Sequence, residues 1–290
     1  MDETPKKIIV LKDYENTRID KFISTYLSLP NSLVQKDLRK GRIKVNKKKV
    51  RFDHRLLMND EVIFYKKYKI NLPNKKKIVP DKLLTKFKKS IILKNENYIV
   101  INKWNGIASQ GGSKINFSID DIINIVSING NFARLVHRLD KDTSGIMLLA
   151  LNLKTSRYFY DLFSNQKIKK KYYAIVENNS YLKKGIFNNK IIEKDKEYIA
   201  ETQYEMIKKI KGNLYYFKLS PKTGRKHQIR IHCSINGMPI LSDKKYNKDS
   251  VYKDNNKELF LHAGEIEFKD QSGKNIIVQA EMPKHFKEYI

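Results

Sequence analysis

The residues best equipped for chemistry stand in one short polar loop. His137-Arg138-Leu139-Asp140-Lys141-Asp142-Thr143-Ser144-Gly145 lies between two apolar runs, Leu135-Val136 before it and Ile146 to Ala150 after it. Thr143 and Ser144 can turn the chain through side-chain hydrogen bonds and Gly145 through a permissive backbone, so the loop can enter the following strand abruptly. Asp140 then stands at the rim of a sheet, where a scaffold can aim a carboxylate at a substrate. Asp142 is the rival carboxylate of the same loop, and Arg138, Asp140 and Asp142 also fit a plain surface ion-pair cluster.

Two further stretches carry reactive types. In Leu219 to His232, Thr223 and Gly224 turn the chain out of a strand, and a helix is predicted over His227 to Asn236, stopped by Gly237 and Pro239. His227 and His232 invite a metal reading, but five residues on a helix turn through about 140°. No His-Glu-x-x-His or Cys-x-x-Cys supports it, so no metal is expected. Lys170 to Val176 reads as a strand whose alternation puts Tyr172 and Ala174 on one face.

Fifty-nine Lys and Arg against 31 Asp and Glu leave a formal charge of +28, which points to a polyanion, most commonly nucleic acid. Only ten of these cations are arginines, and Arg138 and Arg230 fall inside the two strongest motifs. A planar fork cannot be replaced by lysine where bidentate geometry matters. One cysteine, Cys233, excludes an internal disulfide and a thiolate metal cluster, in keeping with a reducing compartment. Asp2, Glu3 and a four-residue apolar run, Ile8 to Leu11, look like neither a secretory signal nor a membrane span, so a cytoplasmic protein is expected.

These residues need elements to hold them. Thr17 is predicted to cap a helix with Ile19, Phe22, Ile23, Tyr26 and Leu27 at helical spacing. A second helix begins after Pro30-Asn31-Ser32, with Val34 and Leu38 on its apolar face, and Gly41 ends it. Short strands follow at Arg42 to Val45 and Glu61 to Tyr65. From Lys66 to Lys89 ten lysines and a single acid, Asp81, read as a mobile linker whose charge can follow a phosphate backbone. Beyond it, strands are expected at Ile91 to Lys94, Tyr98 to Lys103, Leu259 to Ala263, Ile266 to Phe268 and Ile276 to Ala280. Helices are expected at Ser118 to Ser127 and around Ser156 to Asn165.

His-Arg-Leu-Asp-x-x-Thr-Ser-Gly, as it stands at 137–145, resembles the signature of the RluA-type pseudouridine synthases without gap or substitution. Thr-Gly-Arg-x-His-Gln-Ile-Arg-x-His at 223–232, Gly-x-Pro-Ile at 237–240 and Lys-x-Tyr-x-Ala at 170–174 match further strings of that family. Asn-Lys-Trp-Asn-Gly at 102–106 with Gln-Gly-Gly-Ser at 110–113 resembles its first motif, with Trp104 where proline is usual. Arg18-Ile19-Asp20 and Leu-Arg-Lys-Gly-x-Ile-x-Val-Asn at 38–46 resemble the alpha-L (S-four type) RNA-binding domain, with Leu33 where an arginine is usual.

The resemblance implies an α+β protein. An N-terminal extension (1–16) precedes a small α/β alpha-L RNA-binding domain (17–65), the lysine-rich linker (66–89) and a catalytic domain with a mixed, largely antiparallel sheet (90–290). It implies an isomerase that detaches uracil from ribose and rejoins it through carbon 5, needing no cofactor. Asp140 falls in the catalytic slot, Arg230 is the cation that keeps it ionised, and Tyr172 packs against the target base. A carboxylate suits attack on an electron-poor carbon or stabilisation of an oxocarbenium-like ribose. Arg138 would fill the space of an everted nucleotide. His137, Thr143 and Arg225 line the RNA site, and Arg18, Lys36, Arg39 and Lys40 belong to the RNA-binding domain. The branch most resembled acts on several uridines of large-subunit ribosomal RNA, and a monomer is expected. The alternatives are a sibling branch acting on other ribosomal or transfer RNA uridines, a non-catalytic ribosome-assembly protein, and an N-glycosylase.

Overall fold

The computed structural model describes residues 6–68, 78–112, 115–128, 130–179, 182–193, 195–250, 252 and 258–290. Ser113 of the Gln-Gly-Gly-Ser string and 69–77 of the expected linker lie outside the described residues. The chain divides into two compact units, Met1–Ile78 and Val79–Ile290.

The first unit packs two helices, α1 (Ile19–Tyr26) and α2 (Asn31–Arg39), with a three-stranded sheet of β1 (Lys7–Ile9), β2 (Ile43–Val45) and β3 (Glu61–Phe64) in the order β1-β3-β2. Ile19, Phe22 and Ile23 of α1 and Val34 and Leu38 of α2 form its core, as their spacing requires. Two expectations are corrected. Lys7–Ile9 is no extension but a strand paired with β3, and Ile8 and Val10 join the core. Its ladder partner lies more than fifty residues on, so no neighbouring pattern announces the pairing. Thr17 does not cap α1. Arg18 holds the N-cap position without a side-chain cap, and the Asp20 carboxylate accepts from Arg18, Gln35 and the Lys21 N–H instead.

The second unit opens with α3 (Asp81–Lys89), inside the segment read as linker. Phe87 is fully buried there, while Asp81 in the first turn and lysines in the last suit the helix dipole. Charge masked that anchor. In chain order follow β4 (Ile91–Lys94), β5 (Tyr98–Lys103), α4 (Ile119–Ile123), β6 (Ser127–Ile128), β7 (Asn131–Phe132), β8 (Arg134–Leu135), β9 (Ser144–Ala150), α5 (Leu153–Ser164) and β10 (Lys169–Glu177). Then come β11 (Lys184–Phe187), β12 (Lys190–Glu193), β13 (Lys196–Ile199), β14 (Thr202–Lys211), β15 (Leu214–Pro221), α6 (Gln228–Ile235), β16 (Leu261–Lys269), β17 (Asn275–Gln279) and α7 (Lys284–Lys287). The helix expected over Ser118 to Ser127 is shorter, capped at Ser118 by Asp121 and ending at Ile123. The two closing strands expected at 259–268 are one, because β16 runs from Leu261 to Lys269 across a bulge at Gly264 and the ladder resumes at Glu265.

A mixed, mostly antiparallel sheet of ten strands among the described residues organises this unit, in the order β11-β14-β15-β10-β16-β9-β5-β4 with β17 on β16 and β8 on β9. The β16–β9 pair is parallel. All seven residues of β9 are buried because both of its faces are covered. Met147 and Leu149 pack with Phe87, Ile119 and Ile122 on one side. Ile146, Leu148 and Ala150 pack with Phe159 and Leu162 of α5 on the other.

The parallel contact needs Gly145. Its φ is +111°, and a Cβ there would lie 2.2 Å from the Ala263 carbonyl oxygen. Gly145→Ala is therefore expected to destabilise the protein by at least about 1–3 kcal/mol, read as a lower midpoint in urea unfolding.

Candidate active site

The loop between β8 and β9 is pinned residue by residue. His137 Nε2 accepts the Leu148 N–H at 2.8 Å, so the imidazole stands in for a strand carbonyl and carries its proton on Nδ1. Its ring stacks on Phe163 with centroids 4.6 Å apart. Burial, aided by the charge of Lys170, holds its pKa at about 3. The expectation of an RNA contact at His137 thus meets a residue already engaged in fastening the loop.

Leu139 N–H donates to Ser109 Oγ at 2.9 Å, and Ser109 Oγ donates back to Leu139 O at 2.6 Å. Lys103, fully buried, donates its ammonium to Lys141 O at 3.2 Å, Ile107 O at 2.9 Å and Trp104 O at 3.2 Å. Burial drives that ammonium down to about 7, opposed by the Asp142 and Asp140 carboxylates. Gly106 N–H also reaches Lys141 O at 3.0 Å. Both neighbours of Asp140 are therefore fastened to 103–109, and Asp140 itself is left to point outward from a rigid support.

It points into a cavity of about 430 Å³. Arg138, Asp140 and Thr143 come from the loop, Lys170 and Tyr172 from β10, and Thr223, Arg225, His227 and Arg230 from the turn and start of α6. Asp142 is exposed and is not part of this wall. Tyr172 sits at a β-bulge. Lys171 faces Glu265 and Tyr172 faces Ala263, so Gly264 is the extra residue opposite them, and such a kink re-aims a side chain. A Cβ on Gly264 would come 2.5 Å from the Tyr173 ring, so the bulge requires glycine there.

Burial, and then the charge of Asp140, raise the Tyr172 phenol above its usual range, so it stays protonated. Burial also brings the Lys170 ammonium down to about 8, and it donates to Thr223 O at 3.3 Å. Thr143 is 2% exposed, and its hydroxyl has no hydrogen-bond partner among the described residues.

Arg230 requires a correction. The fork expected on Asp140 closes on Asp243, Nε to Oδ2 and Nη2 to Oδ1, both at 2.7 Å. Asp243 also accepts the Lys245 and Tyr246 N–H groups at 3.0 Å, and the guanidinium lies 5.1 Å from the Tyr246 ring centroid. Burial works against the Arg230 charge, but Asp243 first and then Asp140 and Asp142 hold its pKa above the ordinary value. Arg230 is thus a fixed cation in the cavity wall that acts on Asp140 through space. Among the described residues it is His227 whose ring approaches Asp140, with Nε2 3.7 Å from Oδ1.

The other expected residues are placed as follows. Arg138 and Arg225 are exposed at the cavity, Arg225 with its guanidinium 4.4 Å from the Tyr198 ring centroid. In the first unit, Arg18 forks Asp20 at 3.1 and 2.8 Å and covers the Phe52 ring, so part of its donor set is engaged internally. Lys36, Arg39 and Lys40 are exposed at the end of α2. His232 is buried, with Nδ1 3.0 Å from Thr202 Oγ1, away from His227. Among the described residues no three His, Cys, Asp or Glu side chains are grouped to hold a metal ion. No described helix is long and apolar enough to cross a membrane.

Sequence reasoning passed over Lys103, Lys170, His227, Asp243 and Tyr246 as site residues. Lys103, Lys170 and His227 stood inside quoted strings and could have been found there. Asp243 and Tyr246 carry no local signal.

The model of a family described as RNA pseudouridylate synthase matches residues 97–235, the span that holds Asp140, Tyr172 and Arg230. A ribosomal large subunit pseudouridine synthase C of Rickettsia bellii is 33% identical over 298 residues, 96% of this chain and 99% of that protein. A protein of the same description in Buchnera aphidicola subsp. Schizaphis graminum is 33% identical over 98% of this chain and 96% of its own. The solved structure of human RNA Pseudouridylate Synthase Domain Containing 4 aligns with a TM-score of 0.60 at 24% identity, covering 71% of this chain and 94% of that one, a likeness of fold.

Proposed function

Since the chain belongs to the RNA pseudouridylate synthase family, we propose that it isomerises uridines of large-subunit ribosomal RNA, with Asp140 acting on a nucleoside everted into the cavity. The observation that carries this reading is the convergence of three separated segments, bearing Asp140, Tyr172 and Arg230, on one pocket. The rRNA substrate is supported by near-full-length similarity to proteins described as ribosomal large subunit pseudouridine synthase C.

In this reaction the bond from ribose C1′ to N1 breaks and a bond from C1′ to C5 forms, the proton on C5 is lost and N1 regains one. Every atom is returned, so no external reactant is consumed. An Asp140 carboxylate oxygen meets an electron-poor carbon of the nucleoside, and Arg230 places a fixed positive charge in the same cavity wall. The Tyr172 ring offers a face for the uracil, worth about 1–3 kcal/mol of stacking. Its raised pKa keeps it from adding a second negative charge beside Asp140. Lys36, Arg39 and Lys40 on the first unit would contact the phosphate backbone.

The test is to map pseudouridines in ribosomal RNA from cells with and without this protein. Loss at discrete large-subunit positions is expected, and an unchanged map would overturn the reading.

Arg138, exposed at the cavity mouth, would occupy the gap left in the RNA stack, where eversion costs a few kcal/mol. Losing about 1.4 kcal/mol of that offset slows turnover about tenfold. Arg138→Ala is expected to show this slowing on structured RNA and none on an unstructured strand. Equal rates of wild type and variant on both substrates would reject the role.

A further inference from the structure

We propose that His227 is a positioning residue for Asp140: its neutral imidazole, oriented by the Tyr246 hydroxyl, presents Nε2–H to the carboxylate and holds it toward the cavity. The proposal rests on the reading of Asp140 as the reacting carboxylate. Three observations support it. His227 adopts φ +55° and ψ +21° immediately before α6, a left-handed backbone that non-glycine residues take up at a cost and that tends to mark functional positions. That backbone directs the ring across the cavity, leaving Nε2 3.7 Å from Asp140 Oδ1. On the far side of the ring, Nδ1 lies 3.0 Å from the Tyr246 hydroxyl.

The tautomer follows from the neighbours. A carboxylate at Nε2 favours a proton on that nitrogen, which makes Nδ1 the acceptor and the Tyr246 hydroxyl the donor. The Tyr246 ring is in turn held under the Arg230 guanidinium, and its N–H by Asp243. One turn, 243–246, therefore sets both Arg230 and His227. A distance of 3.7 Å is long for a hydrogen bond, and catalytic contacts of this kind commonly tighten as substrate binds.

The groups that bear on the imidazole charge are Asp140 from the loop, Arg230 on α6, Lys226 beside it in the chain, and Lys245 and Tyr246 from the turn. Burial lowers the His227 pKa. Asp140 pulls upward, while Arg230, Lys245 and Lys226 add to the lowering. The ring is thus neutral at neutral pH, a donor rather than a second cation.

The experiment contrasts two amides. In His227→Gln the amide nitrogen lies near the place of Nε2 and can donate to Asp140. In His227→Asn it lies near the place of Nδ1, although asparagine tolerates the left-handed backbone better. With RNA affinity and thermal midpoint as controls for folding, His227→Ala and His227→Asn are expected to lower kcat about 10²-fold, the scale of a misplaced reacting group. His227→Gln is expected to recover the larger part of that loss. Asparagine outperforming glutamine would assign the role to the backbone and overturn the proposal, as would full activity in all three.

Nitrogen-15 NMR of histidine-labelled wild type supplies a readout independent of turnover. The Nε2–H tautomer is expected at neutral pH and a tautomer mixture in Tyr246→Phe, whereas a dominant Nδ1–H form in wild type would overturn the proposal. Asp140→Asn separates the two layers. Turnover surviving in it sinks the reading of Asp140, whereas an inactive Asp140→Asn beside fully active His227 variants sinks this inference alone.

Discussion

Asp140→Asn is expected to fold, to bind RNA with unchanged affinity, and to lose turnover by a factor on the order of 10⁴ or more, the scale seen when a nucleophilic unit is disabled. The amide keeps the shape of the carboxylate and removes its charge. The loop does not depend on that charge for its geometry. Leu139 is tied to Ser109 and Lys141 O to Lys103 and Gly106 through backbone atoms that the substitution leaves in place. Asp140 remains partly accessible, with 17% of its side chain exposed, so no large unsatisfied group is buried by the change. The measurements are single-turnover conversion of a ribosomal RNA fragment, RNA binding and thermal unfolding. Turnover within tenfold of wild type would remove Asp140 from the reaction.

The second large effect falls on stability. Asp243→Ala is expected to cost about 3–5 kcal/mol, because it strands a guanidinium that is only 6% exposed. The two 2.7 Å bonds of the fork and the two N–H contacts of the 243–246 turn are lost together. Turnover should fall as well, since Arg230 and Tyr246 both lose their anchor. Replacing the pair jointly, Arg230→Met with Asp243→Leu, should restore much of the stability and none of the activity. Urea unfolding measures the first effect, and a loss under about 1 kcal/mol would show that the pair is not held as described.

Its pH dependence has a definite sign. Burial alone would raise the Asp243 pKa, but the hydrogen bonds and charge of Arg230, with the Lys245 and Tyr246 N–H groups, outweigh it and leave the value depressed. The stabilisation is complete above the unfolded carboxylate pKa of about 4 and disappears as the pH falls through the lower folded value. Wild type should therefore lose this contribution only in acid, and Asp243→Ala should lack that part of the acid transition.

Several features were readable without coordinates because they are local. The polar loop between two apolar runs does lead into a buried strand, since the turn chemistry of Thr143 to Gly145 and the apolar run of Ile146 to Ala150 are properties of neighbouring residues. The alternation around Tyr172 marked β10 for the same reason, and the strings at 137–145, 170–174 and 223–232 identified three segments that the fold brings to one cavity. Local spacing also marked both helices of the first unit, although it placed the first cap one residue early.

Partnership across the chain was settled only in three dimensions. A guanidinium among 31 acids has no sequence rule that selects Asp243 over Asp140; the helix carrying Arg230 and the turn carrying Asp243 do so by distance. Likewise, Lys103 stood in the string at 102–106, but only burial and three carbonyls gave it a part in pinning the loop. The strand at Lys7–Ile9 exists because β3 offers it a ladder more than fifty residues away. Residue type, short-range periodicity and the motif strings thus marked the segments that line the cavity. Long-range contacts, which alone decide what is desolvated and which charges meet, determined how those segments hold Asp140.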